Sequence, residues 1–118
     1  MSTPRFPRPL HPGRVRAARA RLLDGPAASL AERVREVFCE PTRTQIVRAL
    51  STGPLSVSDL AITIGRSRST ISQHLRILRQ DNIVQARRRG RVSYYALTAS
   101  LVTRSSLLAL DVIARSAS

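Results

Sequence analysis

The amino-acid sequence predicts a mainly α-helical fold with one small β-hairpin. Apolar residues recur at helical spacing in five segments between residues 29 and 114, and capping or turn residues separate these segments. Only residues 83–97 combine strand-forming residues with a central glycine, as hairpins do. The chain has 118 residues, 42% of them hydrophobic, which is enough for one small domain with a modest core. A domain of this size often gains buried area by dimerising.

The first part of the chain, residues 1–25, is predicted to be a basic and partly disordered arm. Four of the seven prolines fall within the first 13 residues, where large apolar side chains are few. The following stretch fits a short basic helix over residues 14–23, docked on the domain through Val15, Leu22 and Leu23. The folded domain is then expected to cover residues 26–118.

Three helices follow, and each is predicted to start where a hydroxyl residue precedes an acidic or amide residue by three positions. These pairs are Ser29 with Glu32, Thr42 with Gln45, and Ser56 with Asp59. In each segment the apolar residues share one helical face, which is expected to point toward the core. Pro41, Gly53 and Gly65 mark the three helix ends.

A further helix is predicted to start at Ser67 or Arg68 and to end at Asp81. Only a tight turn separates it from the helix before it. Together the two helices form a helix-turn-helix over residues 56–80.

The strand-forming segment completes a winged version of this motif. Residues 83–97 are predicted to form two strands around the turn at Arg89-Gly90, which makes a hairpin wing. A last helix over residues 99–114 carries a broad apolar face. The predicted fold class is therefore a mainly α winged helix-turn-helix.

Positive charge concentrates in the helix-turn-helix and wing. Residues 66–91 hold eight arginines and one acid, Asp81, and so carry +7 of the chain's net charge of +13. A surface that neutralises phosphates has this composition. Because aromatic residues make up only 3% of the chain, a stacking platform for single strands is not expected, and double-stranded DNA is favoured as the partner.

The predicted DNA contacts lie on the second helix of the motif and on the wing. Once Ile71, Leu75 and Leu78 are assigned to the core, the other helix face is polar and suits the major groove. Its first turn also favours a phosphate. The candidate DNA-binding residues are Ser67, Arg68, Ser69, Thr70, Ser72, Gln73, Arg76, Arg87, Arg88, Arg89 and Arg91. The alternatives are a solvated polar helix and a charged strand edge that prevents aggregation.

Three stretches of sequence resemble the winged-helix repressors of the ArsR/SmtB family. They are EPTRTQIVRAL, LSVSDLAITIGRSRSTISQHLRILRQDNIV and RRRGRVSYYAL, within a resemblance that covers about residues 30–115. The resemblance implies a homodimer whose terminal helices pair, with residues 99–114 as the dimerisation helix. It also implies two reading heads in successive major grooves and a repressor that leaves its operator when an effector binds.

The sequence departs from the metal-sensing members of that family. Ser56 and Ser58 stand where those members carry Cys-x-Cys, and hydroxyls are poor ligands for zinc or soft metals. Of the Asp, His and Glu ligands that other members carry in the last helix, only Asp111 remains. We therefore expect no metal site and no cofactor.

The single cysteine, Cys39, excludes an internal disulfide and fits a reducing, cytoplasmic location. The first interpretation is a buried structural thiol. The alternative is a redox or adduct-forming thiol, with only Arg35 and Arg43 near it in sequence. No segment is apolar over the roughly 20 residues that a membrane span needs, so no membrane association is expected.

These features predict a sequence-specific regulator of transcription that binds double-stranded DNA, most simply a dimeric repressor. A non-specific architectural or nucleoid protein is the alternative, since a high charge also suits a DNA coat. An enzyme is not expected, because no carboxylate pair, histidine cluster or activated nucleophile is present. For the basic arm two roles stay open, contact with the DNA backbone or minor groove and an extension that only raises solubility.

Overall fold

A computed structural model describes residues 7–117 of the chain. Within that range, six helices and three strands follow one another. They are α1 (Pro12–Arg19), α2 (Gly25–Phe38), α3 (Pro41–Leu50), β1 (Leu55–Ser56), α4 (Val57–Ile64), α5 (Arg68–Gln80), β2 (Val84–Arg89), β3 (Val92–Leu97) and α6 (Leu101–Ser116). The predicted mainly α fold with a small sheet is confirmed.

The core lies among α2–α6 and the base of the hairpin. Its most deeply buried side chains come from every one of these elements and include Val37, Ile46, Leu60, Ile71, Leu75, Leu78, Ile83, Val84 and Val102. Burying one leucine or isoleucine contributes roughly 1.5–3 kcal/mol, so a handful of these residues fixes how the helices pack. Ile71, Leu75 and Leu78 hold α5 on this core, as predicted.

The sheet has the strand order β1-β3-β2, and both pairings are antiparallel. Gly90 has a φ of 61°, which suits glycine at the tip of the β2–β3 hairpin. The two-residue strand β1 was not predicted. It pairs Leu55 with Tyr95 and Ser56 with Tyr94, and so joins the start of α4 to the wing.

Helices α4 and α5 begin as predicted. Ser56 Oγ accepts a hydrogen bond from the backbone N–H of Asp59 at 3.1 Å. Ser67 Oγ accepts from the backbone N–H of Thr70 at the same distance. Gly65, with a φ of 76°, ends α4 in the left-handed conformation.

The predicted starts of α2 and α3 are wrong. Helix α2 begins at Gly25, four residues before the predicted cap at Ser29, and α3 begins at Pro41 with Glu40 as its N-cap. A proline sits in the first turn of each helix, where its missing N–H costs nothing. The Glu40 carboxylate accepts from the backbone N–H of Thr42 at 2.7 Å, so the predicted cap residue is instead a buried part of α3.

The arm differs from its prediction in two respects. Its helix α1 covers Pro12–Arg19 rather than residues 14–23, and it is not docked as expected. The first six residues of the predicted disordered stretch lie outside the described residues, so that prediction stays untested there. Leu22 and Leu23 are 73% and 63% exposed, so the arm is not docked on its own domain through them. The linker after α1 leaves these two side chains in solvent and does not place them on the core.

Candidate nucleic-acid interface

The eleven candidate DNA-binding residues share the solvent side of α5 and the wing. Ten of them are exposed, and Thr70 is half-buried. The outer face of α5 presents Ser69, Ser72, Gln73 and Arg76, directly opposite its buried apolar face. No core contact competes for these side chains, so they are available to a ligand that lies along the helix.

Ser67 has a different position from the other members of this set. Its hydroxyl accepts from the N–H of Thr70 and lies 2.9 Å from the Thr70 hydroxyl, to which it donates. It therefore shapes the first turn of α5. The backbone N–H groups of Arg68 and Ser69 come before the first intrahelical bond and point out of that turn, where an anion is favoured.

The wing arginines fall into separate groups. The pairing of Arg87 with Tyr94 and of Arg89 with Val92 puts these two arginines on one face of the hairpin. They line a hollow of about 460 Å³ together with Pro54, Gln85, Tyr94 and Ala96. Arg88 points to the other face, and its Nε donates to the carbonyl of Gly90 at 3.1 Å.

Arg91 lies instead beside Arg68. Both side chains line a hollow of about 520 Å³ between the wing and the starts of α4 and α5. Its other lining residues are Ser56, Val57, Ser58, Val92, Ser93 and Tyr94. Two guanidinium groups, several hydroxyls and a helix N-terminus together suit a phosphate group.

Sequence reasoning missed the serines of this hollow. It treats Ser56 as a helix cap and a poor metal ligand, treats Ser58 only as a poor metal ligand, and gives Ser93 no role. The pairing of Ser56 with Tyr94 across β1 and β3 is what brings the start of α4 to the wing. A two-residue strand has too little pattern to be recognised, so no signal in the sequence predicts this contact.

A polar cluster fastens the inner side of α5 to α3. Arg43 Nε donates to His74 Nδ1 at 3.4 Å, and His74 Nε2 lies 3.4 Å from Glu40 Oε2. The two ring nitrogens of His74 therefore face Arg43 and Glu40. Partial burial raises the pKa of the Glu40 carboxyl, but the N–H of Thr42 and the charge on His74 outweigh it, so that the pKa lies below its ordinary value.

The prediction that Cys39 is a buried thiol is wrong, because its side chain is exposed. The residue caps the C-terminus of α2, where Val37 takes the core position and the thiol points the other way. Cys39 Sγ donates to the carbonyl of Glu36 at 3.2 Å. Its distance to Arg43 Nη1 is 3.8 Å.

Metal-ligating side chains are scattered in the described part of the protomer. Within residues 7–117, no three His, Cys, Asp or Glu side chains come together as a ligand set. Asp111, the one acid that matches a family ligand, forms an ion pair of 3.0 Å with Arg48. Among the described helices, none is long and apolar enough to cross a bilayer.

Helix α6 carries an apolar surface that its own protomer leaves uncovered. Leu101, Leu108, Val112 and Ile113 are each between 49% and 66% exposed. Leu101, Leu108 and Val112 share one side of the helix, and exposed apolar side chains grouped in this way are typical of a protein interface.

Comparison with known proteins identifies relatives with this architecture. The model described as "Bacterial regulatory protein, arsR family" matches residues 40–86. The transcriptional regulator NmtR of Mycobacterium tuberculosis is 39% identical over 75 residues, which are 64% of this chain and 62% of NmtR. The transcriptional repressor SdpR of Bacillus subtilis is 32% identical over 72 residues, which are 61% of this chain and 80% of SdpR.

A solved structure extends the comparison beyond the matched motif. The homodimeric winged helix-turn-helix DNA-binding domain of Mb0332 from Mycobacterium bovis superposes with a TM-score of 0.65 and 31% identity. The superposition covers 81% of this chain and 90% of the Mb0332 domain. The chain thus spans less than two thirds of NmtR, but most of SdpR and of the Mb0332 domain.

Proposed function

Because this chain belongs to the arsR family of bacterial regulatory proteins, we propose that it is a dimeric repressor of transcription that binds double-stranded DNA sequence-specifically. The observation that carries the proposal is the division of α5 into a buried apolar face and an exposed polar face. The helix is held rigidly by the core, while its outer side chains have no other partner to satisfy. A helix presented in this way suits the major groove.

In this function the outer residues of α5 read base edges. Arg76 would bind the edge of a guanine, and Gln73 that of an adenine, because each can form two parallel hydrogen bonds there. Ser69, Thr70 and Ser72 are short enough to contact either a base or the adjacent phosphate. Ser67 does not reach the DNA in this scheme but orders the turn that carries these groups.

The arginines around α5 hold the phosphate backbone. Arg68 and Arg91 share one hollow with the N-terminus of α4, which supports a single phosphate between them. Arg87, Arg88 and Arg89 extend the basic surface to the hairpin tip, toward the backbone or the adjacent minor groove. These contacts give affinity and register, whereas α5 gives the sequence preference.

A second copy of the chain supplies the second reading head. The exposed apolar side chains of α6 support a homodimer built on this helix, and the related Mb0332 domain is described as homodimeric. A twofold axis places two α5 helices on one side of the dimer, matching a palindrome with half-sites one helical turn apart. Binding to DNA would place the protein in the cytoplasm.

The residues present support a regulator that does not sense a metal. Hydroxyls replace the thiolates at Ser56 and Ser58, and the carboxylate of Asp111 is paired with Arg48. The effector that releases the repressor is therefore expected to act through other groups.

Competition binding tests the proposed function. A duplex selected from a random pool is set against unselected duplex at about 150 mM salt, with the full chain. A specific repressor prefers the selected site by at least about a thousandfold. Equal binding to both would contradict the proposal and favour an architectural protein that coats DNA.

A further inference from the structure

No residue of helix α1 is fully buried in its own protomer, and only Val15 is half-buried. All eight of its residues keep access to solvent, and its N-cap residue, His11, makes no capping bond through its side chain. Isolated helices shorter than about 12–15 residues are marginal in water. A partner outside the protomer is therefore needed to order this helix.

The arm also stands away from the domain. Across residues 7–114, no side-chain hydrogen bond or ion pair joins residues 7–23 to later residues. The longest dimension of the molecule is 64 Å and its radius of gyration is 19.6 Å. A compact chain of this length has a radius of gyration of about 13 Å. The molecule is therefore extended, as expected if the arm lies outside the compact domain formed by α2–α6.

The charge of the arm identifies the chemistry of its partner. Residues 7–23 contain no acid and five exposed arginines, namely Arg8, Arg14, Arg16, Arg19 and Arg21. At 100° per residue, Arg16 and Arg19 lie on one side of α1, and Arg14 lies on the other. Cations on two sides do not suit packing on a protein core, but they suit a polyanion.

A second copy of this chain is a poor match for this segment. Each copy has a net charge of +13 overall, so the arginines of the arm gain less from a second protomer than from a polyanion. Duplex DNA has the opposite charge, and the proposed function already brings it to the domain. Each phosphate neutralised there also releases counterions, which favours binding.

We propose that residues 7–21 form a second DNA-contacting element, which binds the phosphate backbone outside the stretch covered by the α5 helices and wings. This inference rests on the proposed function. The reading heads select the site, and the arms lengthen the bound stretch without reading its sequence. Arginines at these positions contact phosphates on both sides of α1.

The test uses the full chain and two duplexes. One duplex ends at the outer borders of the half-sites, and the other extends about 10 bp further at each end, one helical turn. The arm variant is Arg16→Gln/Arg19→Gln. The matched control is Arg35→Gln/Arg48→Gln, which removes the same charge from exposed ion pairs on α2 and α3.

We expect the wild type to bind the extended duplex more tightly, and the arm variant, which keeps Arg8, Arg14 and Arg21, to show a clearly smaller length advantage. On the extended duplex, the slope of log K against log salt should fall by about 0.9 for each phosphate that the arm variant no longer neutralises. The ratio of selected to random binding should stay unchanged. The control variant should keep the length advantage, and both variants should keep the wild-type melting temperature, since none of the four arginines is buried.

Two results would overturn the inference. One is a length advantage and salt slope in the arm variant equal to those of the control. The other is a weakened dimer in sedimentation, for the arm variant or for Leu22→Ser/Leu23→Ser, with DNA binding otherwise normal. Neither result contradicts the proposed function if the wild type still prefers its selected site. A wild type without that preference would contradict the proposed function itself.

Discussion

Gln73 and Arg76 are neighbours on the outer surface of α5, because residues three apart lie on the same side of a helix. Both are exposed, and the structure gives neither a partner among the side chains of residues 7–117. A long, exposed polar side chain without a partner can discriminate between base pairs only when a ligand fixes its position. We therefore expect discrimination between base pairs to depend on these two residues more than on the arginines of the wing.

Replacing either residue should relax the sequence preference at a few positions only. We expect Gln73→Ala or Arg76→Ala to cost roughly 1–3 kcal/mol on the preferred site and much less on sites already changed at the contacted base pair. Binding to a panel of single-base variants of the site measures this. Arg88→Ala is the control, since removing an arginine from the phosphate backbone should weaken binding to all sequences about equally. A uniform effect of Gln73→Ala on every sequence would contradict base reading by α5.

The Glu40 carboxylate links acidity to stability. Its pKa in the folded protein lies below the ordinary value of 4.5, so its contribution is fully present above that value and is lost as the pH falls through the folded-state pKa. We expect Glu40→Gln to lose less stability than the wild type between about pH 5 and pH 3. Thermal unfolding across this range measures the difference. Glu32→Gln, at an exposed ion pair on α2, should follow the wild type, and equal curves for all three proteins would contradict the role of Glu40.

Helix starts show where sequence reasoning succeeds and where it fails. The caps at Ser56 and Ser67 were predictable because each serine hydroxyl lies three residues before the backbone N–H that it binds. Few other groups compete for that N–H. The starts of α2 and α3 were not predictable from such caps. Pro26 and Pro41 have φ fixed at a helical value, so each favours the first turn of a helix at its own position. The pattern at Ser29 is therefore an ordinary stretch inside α2.

Two alanine substitutions test this distinction. Ser67→Ala removes the acceptor for the Thr70 N–H and should destabilise the protein by roughly 0.5–2 kcal/mol. Ser29→Ala places a better helix former inside α2 and should be neutral or slightly stabilising. Urea unfolding of both variants measures these free energies. A similar destabilisation from the two substitutions would contradict the observed start of α2.

The parts of the site that sequence reasoning missed all depend on contacts between distant segments. Helix α5 and its polar face follow from periodicity within 13 residues. The hollow shared by Arg68 and Arg91 forms because β1, which is only two residues long, pairs with the edge of β3 that β2 leaves free. The exposure of Cys39 depends on which way the chain leaves α2. Neither the hollow nor the exposure of Cys39 can be predicted from the periodicity of the sequence.

The whole molecule carries an uncovered apolar surface on α6. Leu108 is 66% exposed in the single protomer, next to Val112 along the helix. Covering such side chains in a dimer offsets the small core of a chain of this length. Residues 101–116 are therefore expected to be the seam between two copies.

A charge in this seam should separate the copies. We expect Leu108→Asp to give a monomer by light scattering, because an uncompensated carboxylate would be buried between the helices. Ile62→Asp is the control, since Ile62 is 80% exposed on α4, away from α6, and its variant should stay dimeric. If Leu108→Asp also stays dimeric, α6 does not form the interface.

Chemical interference on the selected duplex tests most directly whether α5 lies in the major groove. Methylation of guanine N7 blocks that groove, whereas methylation of adenine N3 blocks the minor one. We expect N7 methylation at guanines in two stretches about 10 bp apart to abolish binding, and Arg76→Ala to remove the sensitivity to at least one of them. Binding that is indifferent to N7 methylation throughout the site would contradict the insertion of α5.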